Sequence, residues 1–223
     1  MNRLGAIWRK FLCGLRYGIA APKTVAVAAP LGVLILTAAA LCGFSIFTAS
    51  TLSGGFSGED GAKHGSALSA VFTPEVRDWE ADIVRWSGGY GLDPNLVATV
   101  MQIESCGNPL AVSRSGAQGL FQVMPFHFAA DENMQDPETN ARRGLAYLAE
   151  SLLISDGDIV RTFAGYNGGH GVIGWETARW PAETRRYAYW GEGIYADASA
   201  GRAASPRLEE WLAAGGSSLC GKT

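Results

Sequence analysis

The stretch LDPNLVATVMQIESCGNPLAVSRSGAQGLFQVMP, residues 92–125, begins as a helix and ends as something less regular. Asp93-Pro94 is a helix start, an oxygen to cap the first N–H groups followed by a proline at the first helical position. Leu96, Val100 and Ile103 then recur at spacings of four and three, one apolar stripe. Glu104 falls in the last turn, because Cys106-Gly107-Asn108-Pro109 does not continue a helix. A carboxylate there faces the negative pole of the helix dipole, which favours its protonated form, and burial would act in the same direction. The plainer reading is a solvated glutamate at a frayed helix end.

The segments that follow weigh against the plainer reading. Ala111 to Ala117 is a polar loop running into Gly119-Leu120-Phe121-Gln122-Val123-Met124-Pro125, an apolar run with one amide. Gln122 in such company needs a hydrogen-bond partner, from the protein or from a ligand. Further on stands Phe163-Ala164-Gly165-Tyr166-Asn167-Gly168-Gly169, at the end of a predicted helix from Asp158. Next comes Glu183-Thr184-Arg185-Arg186-Tyr187, where Glu183 and Tyr187 share a helix face. Each motif is weak alone; the four in this order are specific.

Together they resemble the catalytic domain of the soluble lytic transglycosylases, relatives of goose-type lysozyme that cleave bacterial peptidoglycan. The resemblance runs from about Trp79 to Tyr195 and implies a mainly α, lysozyme-like fold. It also implies the site. Glu104 is the expected single general acid and base. Phe121, Met124 and Tyr166 are expected to dry the site, with the Tyr166 hydroxyl orienting Glu104. Ser105, Gln122 and Asn167 are expected to bind sugar N-acetyl and hydroxyl groups. Glu183 and Tyr187 are expected to shape the site, although Glu183 beside Arg185 and Arg186 also reads as a solvent-facing residue. The family commonly has Met where Phe121 stands here, and a small or polar residue at the position of Cys106.

The rest of the chain divides by charge and composition. Arg3, Arg9, Lys10, Arg16 and Lys23 form a basic leader (residues 1–24), and no acid precedes Glu59. Val25 to Phe47 is uncharged and mostly apolar, long enough to cross a bilayer as a helix, so residues 25–49 are expected to be a transmembrane signal-anchor. Positive charge ahead of it predicts a single-pass protein of the cytoplasmic membrane whose catalytic domain lies outside. A signal peptide cut after Ala38-Ala39-Ala40 is the competing reading. Residues 50–72, rich in Gly and Ser, read as a flexible linker. The helical domain is expected over 73–196, with a tail over 197–223. Within it, one helix starts at Thr73-Pro74 and stops near Gly88-Gly89; later ones start at Asp136-Pro137, Asp158 and Glu183, the last reaching about Gly191. Pro206 to Leu212 is expected to form a short amphipathic helix.

Cys106 and Cys220 both fall outside the membrane in this reading, where disulfides persist, so they are either bridged or two unrelated thiols. Five of the 18 basic residues are in the leader, which leaves 13 against 21 acids in the remainder. That balance disfavours nucleic acid as a partner and means that peptidoglycan glycan strands must be held by sugar-specific contacts. No cofactor is expected. Metal binding is not expected either, since His64, His127 and His170 are far apart in the chain.

Most glycosidases use two carboxylates. Here Asp131, Glu132, Asp136 and Glu138 are alternative partners for Glu104, in a polar loop that faces solvent. The family chemistry needs one acid. It would protonate the bond between N-acetylmuramic acid and N-acetylglucosamine, then take the proton of the C6 hydroxyl as a 1,6-anhydro ring closes. The other readings are a muramidase using water, a non-catalytic wall-binding module, and an accessory of an envelope-spanning secretion machine.

Overall fold

A computed structural model describes residues 67–221. The basic leader, the expected membrane anchor and most of the linker lie outside the described residues. Among the described residues, no helix is long and apolar enough to cross a membrane.

The architecture is mainly α, with no strand among the described residues beyond isolated bridges at Val112–Gln118 and Gln118–Val123. Among the described residues seven α-helices follow in order: α1 (Pro74–Arg77), α2 (Glu80–Tyr90), α3 (Pro94–Glu104), α4 (Pro137–Ile154), α5 (Ile159–Gly168), α6 (Ala182–Ser199) and α7 (Pro206–Ala213). Capping explains several starts. The side chains of Asp93, Asp136, Asp158 and Ser205 each accept a hydrogen bond from a backbone N–H of the first turn.

Helix α3 forms the centre of the domain. Every residue from Leu96 to Ile103 is buried, so the apolar stripe seen in the sequence widens to the whole circumference. Helix α6 packs on α3 and α5, and α4 packs on α2 and α5.

Three boundaries differ from the sequence reading. The first helix is two, broken at Asp78-Trp79, where the Trp79 indole N–H turns to donate to the carbonyl of Gly107. Gly88 and Gly89 do not end α2; Gly91 does, in a left-handed conformation with φ 65° that a side chain would resist. Helix α6 passes through Gly191 and continues to Ser199. Gly191 is there for packing: a Cβ would lie 2.6 Å from the Phe163 ring, so its absence lets α5 and α6 approach. The packed body also extends past residues 73–196 in both directions. Leu68, Val71 and Phe72 enter the core from one end, Leu208 and Trp211 of α7 from the other.

Candidate active site

Glu104 is the last residue of α3, and the chain turns sharply after it. Cys106 takes a left-handed conformation (φ 51°), as does Gly107 (φ 80°). A Cβ on Gly107 would sit 2.6 Å from the Glu75 carbonyl oxygen, so this turn needs a glycine. Ser105 fastens the turn to the next segment. Its hydroxyl donates to the Leu120 carbonyl at 2.7 Å and accepts from the Gly107 N–H at 3.2 Å. Cys106 is joined to Cys220 by a disulfide, so the end of the chain is tied two residues from Glu104.

The segment 111–124 is a small loop closed by backbone bonds in both directions between Gln118 and Val123, at 3.1 and 3.0 Å. It is held down by Asn140 of α4. The Asn140 side chain, fully buried, accepts from the Phe121 N–H at 2.9 Å and donates to the carbonyls of Gln118 and Met134 at 2.7 and 2.8 Å. That satisfies most of its hydrogen-bonding capacity with backbone that has no regular partner.

Helix α6 brings Tyr187 to the acid. The Tyr187 hydroxyl donates to Glu104 Oε1 at 2.7 Å. Burial pushes the Glu104 carboxyl up to about 8; the Tyr187 hydrogen bond opposes this and the charge of Glu183 adds to it. Burial also holds the Tyr187 and Tyr166 phenols well above the usual range, with the Glu104 charge acting the same way, so both remain neutral donors. The result is a carboxyl able to carry a proton at neutral pH beside a hydroxyl that stabilises it once the proton has gone.

Beside this acid is a cleft of about 240 Å³. Gln122, Met124, Tyr166 and Asn167 line it, together with Phe126, His127, Tyr147 and the glycine pair Gly168-Gly169. Glu104 is not itself in this lining. Tyr166 connects the two, since it borders the cleft and stacks on Tyr187 with ring centroids 6.5 Å apart. Gln122 donates its amide N–H groups to the carbonyls of Ala111 and Gly119, which leaves its side-chain oxygen for a ligand. In Asn167 the converse holds: its oxygen accepts from Thr184 at 2.9 Å, which leaves the amide N–H groups.

The structure therefore gathers Gln122, Met124, Tyr166 and Asn167 at the cleft and Tyr187 at the acid, and corrects three expectations. Ser105 is fully buried and spends its hydroxyl on the backbone, so it positions the loop and does not face a sugar. Phe121 is fully buried too, its ring edge-on to Trp86 at 6.2 Å, and forms core where a cleft wall was expected. The Tyr166 hydroxyl donates to the Phe121 carbonyl at 2.8 Å; orientation of Glu104 falls to Tyr187. His127 and His170, far apart in the chain, both lie beside the Tyr147 ring. Their centroids lie 5.0 and 4.1 Å from that of Tyr147. Glu183 is exposed, one helical turn before Tyr187, and reaches Glu104 through its charge.

Of the alternative acids, Asp131 is exposed and the other three are engaged elsewhere. Glu132 pairs with Arg142 and Arg143, Asp136 caps α4, and Glu138 bonds to Arg85 and the Trp86 indole. Among the described residues, the grouping of close metal-type ligands is Glu75, Cys106 and Cys220, and its two sulfurs are bonded to each other.

Sequence reasoning missed Asn140, Phe126, His127 and Tyr147. Only Asn140 left a signal, a polar amide followed by Ala141, Gly144, Leu145 and Leu148 on the apolar face of α4.

The chain is similar to known proteins. Residues 83–188 match the family described as the transglycosylase SLT domain. The chain is 40% identical over 111 residues to a transglycosylase of Enterobacteria phage PRD1, covering 49% of this chain and 40% of that protein. It is 37% identical over 96 residues to an endo-type membrane-bound lytic murein transglycosylase A of Klebsiella pneumoniae, covering 35% of this chain and 47% of the relative. Among solved structures, the lytic transglycosylase Slt of Pseudomonas aeruginosa, an inactive mutant, is 25% identical with a TM-score of 0.46. That match covers 57% of this chain and 25% of the other. The chain thus spans less than half the length of these relatives.

Proposed function

We propose, from the match of residues 83–188 to the transglycosylase SLT domain, that the protein is a peptidoglycan lytic transglycosylase with Glu104 as its one general acid and base. The observation that carries the proposal is the pairing of a carboxyl pushed up to about 8 with the Tyr187 hydroxyl at 2.7 Å, beside a cleft whose lining holds no acid.

In this mechanism Glu104, protonated at neutral pH, gives its proton to the glycosidic oxygen between N-acetylmuramic acid and N-acetylglucosamine. The C1–O4 bond breaks, and the N-acetyl group of the muramic acid stabilises the electron-poor C1. Glu104, now ionised and held by Tyr187, takes the proton from the C6 hydroxyl of the same sugar as that oxygen bonds to C1. A 1,6-anhydro ring forms, no water is consumed, and Glu104 regains its starting state. One acid suffices because the nucleophile belongs to the substrate, and a hydroxyl held in place has a high effective concentration. A pKa near the working pH suits a group that must both give and take a proton. Gln122 would accept from, and Asn167 donate to, sugar hydroxyl and N-acetyl groups, while Met124 and Tyr166 exclude water.

A membrane anchor over residues 25–49 belongs to the same proposal, with the domain outside the cytoplasmic membrane facing the wall. Relatives named membrane-bound murein transglycosylases are compatible with it.

The test is mass spectrometry of muropeptides released from purified peptidoglycan by the protein and by its Glu104→Gln variant. Products with 1,6-anhydro ends, lost in the variant, are expected. Reducing ends would mean that water attacks C1 and that the enzyme is a muramidase. Equal turnover by the variant would remove Glu104 from the mechanism.

A further inference from the structure

The cleft carries rings that the chemistry at Glu104 does not use. Phe126 and His127 lie in the 3-10 turn Pro125–His127, and Phe126 is 75% exposed. Its ring centroid is 4.5 Å from that of His127; His127 is 5.0 Å from Tyr147, and Tyr147 is 5.9 Å from Tyr166. Tyr166 stacks in turn on Tyr187, which holds Glu104. A ladder of neighbouring rings therefore runs from solvent to the acid.

An isolated exposed phenylalanine is ordinary on a protein surface. This one lies in the cleft lining, at the outer, exposed end of the ladder. Burial lowers the His127 pKa, with His170 and Arg143 acting the same way, so its ring is neutral at neutral pH and offers a face. The cleft lining holds no Asp, Glu, Lys or Arg, and its polar side chains include the amides of Gln122 and Asn167. Flat aromatic faces beside amides match a neutral N-acetylated pyranose, which has C–H groups on its faces and hydroxyl and amide groups around its edge. A charged peptide would find no counter-ion in this lining.

We propose that Phe126 and His127 form a stacking platform for a sugar ring of the bound glycan strand, remote from the bond that is cut. The proposal rests on the glycan-cleaving function argued above. The platform would make this enzyme favour longer strands, because only a strand that reaches the outer end of the cleft gains the contact.

The experiment compares wild type, Phe126→Ala, Phe126→Trp, His127→Ala and His127→Phe on peptide-free glycan strands of graded length and on peptide-bearing strands. Because Phe126 is exposed, its truncation opens no cavity. Phe126→Ala and His127→Ala are expected to raise KM for long peptide-free strands by about fivefold to tenfold, the scale of a lost aromatic contact, with kcat nearly unchanged. Phe126→Trp and His127→Phe should restore wild-type KM, since they keep a ring. Unchanged KM in both alanine variants would overturn the platform while leaving the catalytic reading intact. An effect confined to peptide-bearing strands would overturn it in favour of a peptide subsite. If the wild type cleaves nothing, the catalytic reading fails. Calorimetric binding of the peptide-free strands to Glu104→Gln, with and without Phe126→Ala, then decides the platform alone: equal affinity overturns it and weaker binding upholds it.

Discussion

The distribution of work between two tyrosines can be tested residue by residue. Tyr187 donates to Glu104, so Tyr187→Phe removes the one interaction that lowers the carboxyl's pKa. The alkaline limb of the rate profile should move upward, and kcat should fall about 10- to 100-fold, the worth of a hydrogen bond to a charged group. Tyr166 donates instead to a backbone carbonyl, so Tyr166→Phe should cost about 1 kcal/mol in chemical denaturation and leave the limb in place. Glu104 gives a prediction with a definite sign. Its carboxyl binds a proton more tightly in the folded protein (about 8) than at its ordinary value of 4.5. Between those values the unfolded chain holds fewer protons than the folded one, so this residue makes stability fall as pH rises from 4.5 to 8. Glu104→Gln should therefore stabilise the protein at pH 8 by about 1–3 kcal/mol and by almost nothing at pH 4. Urea denaturation at the two pH values checks it; an equal gain at both would show that ionisation is not the cause. Glu104 was singled out in the sequence by the motifs that follow it in order, a carboxylate at the negative pole of a helix dipole being ambiguous alone. The partner of its hydroxyl bond was not, since Tyr166 and Tyr187 both carry a phenol and only the crossing of α5 and α6 decides which one reaches the acid.

Between α4 and the loop 111–124, the important contact is one that no periodicity announces. Asn140 supplies three hydrogen bonds to backbone that belongs to neither helix nor strand. Replacement by leucine leaves those groups buried without partners, so Asn140→Leu should cost about 3 kcal/mol or more and loosen the segment carrying Gln122 and Met124. Hydrogen exchange should show this as lost protection of the Phe121 amide before that of α3. Gly144, one turn further along α4, limits how closely the loop can sit. A Cβ there would lie 2.6 Å from that of Phe121 and 3.2 Å from the Tyr166 hydroxyl oxygen. Gly144→Ala should therefore cost about 1–3 kcal/mol through overpacking, despite alanine's better helix propensity. A rise in melting temperature would contradict this. The helix starts were readable because Asp-Pro and Thr-Pro pairs act locally. The glycines misled because they serve two purposes: Gly91 ends a helix, whereas Gly144 and Gly191 sit inside helices to admit a neighbour's aromatic ring. Only the neighbour distinguishes the two, and the neighbour is not local.

Across the whole described body, the catalytic turn is held from the far end of the chain. Helix α7 buries Leu208 and Trp211 against the rest, and the segment after it returns to place Cys220 on Cys106. From the sequence, residues after 196 read as a tail because they are small and polar on average; two apolar residues at helical spacing proved sufficient to dock them. The disulfide spans 114 positions, and so removes many conformations from the unfolded chain. Cys220→Ser should then destabilise the domain by about 3–5 kcal/mol, a fall in melting temperature of roughly 10 °C for a domain of this size. The position of the bond suggests a second effect. Cys106 is in a left-handed conformation two residues after Glu104, and Gln102 Nε2 donates to its sulfur at 3.1 Å. Ser105, between them, is bonded independently to Leu120. If that bond is enough to hold the turn, Cys220→Ser will keep kcat within about threefold of wild type at 20 °C, a difference of less than 1 kcal/mol. A much larger loss of kcat in protein still folded by circular dichroism would instead make the disulfide part of how the acid is aimed. Stability and rate measured on one variant thus separate the tail's role as a clamp on the fold from a role at the reacting bond.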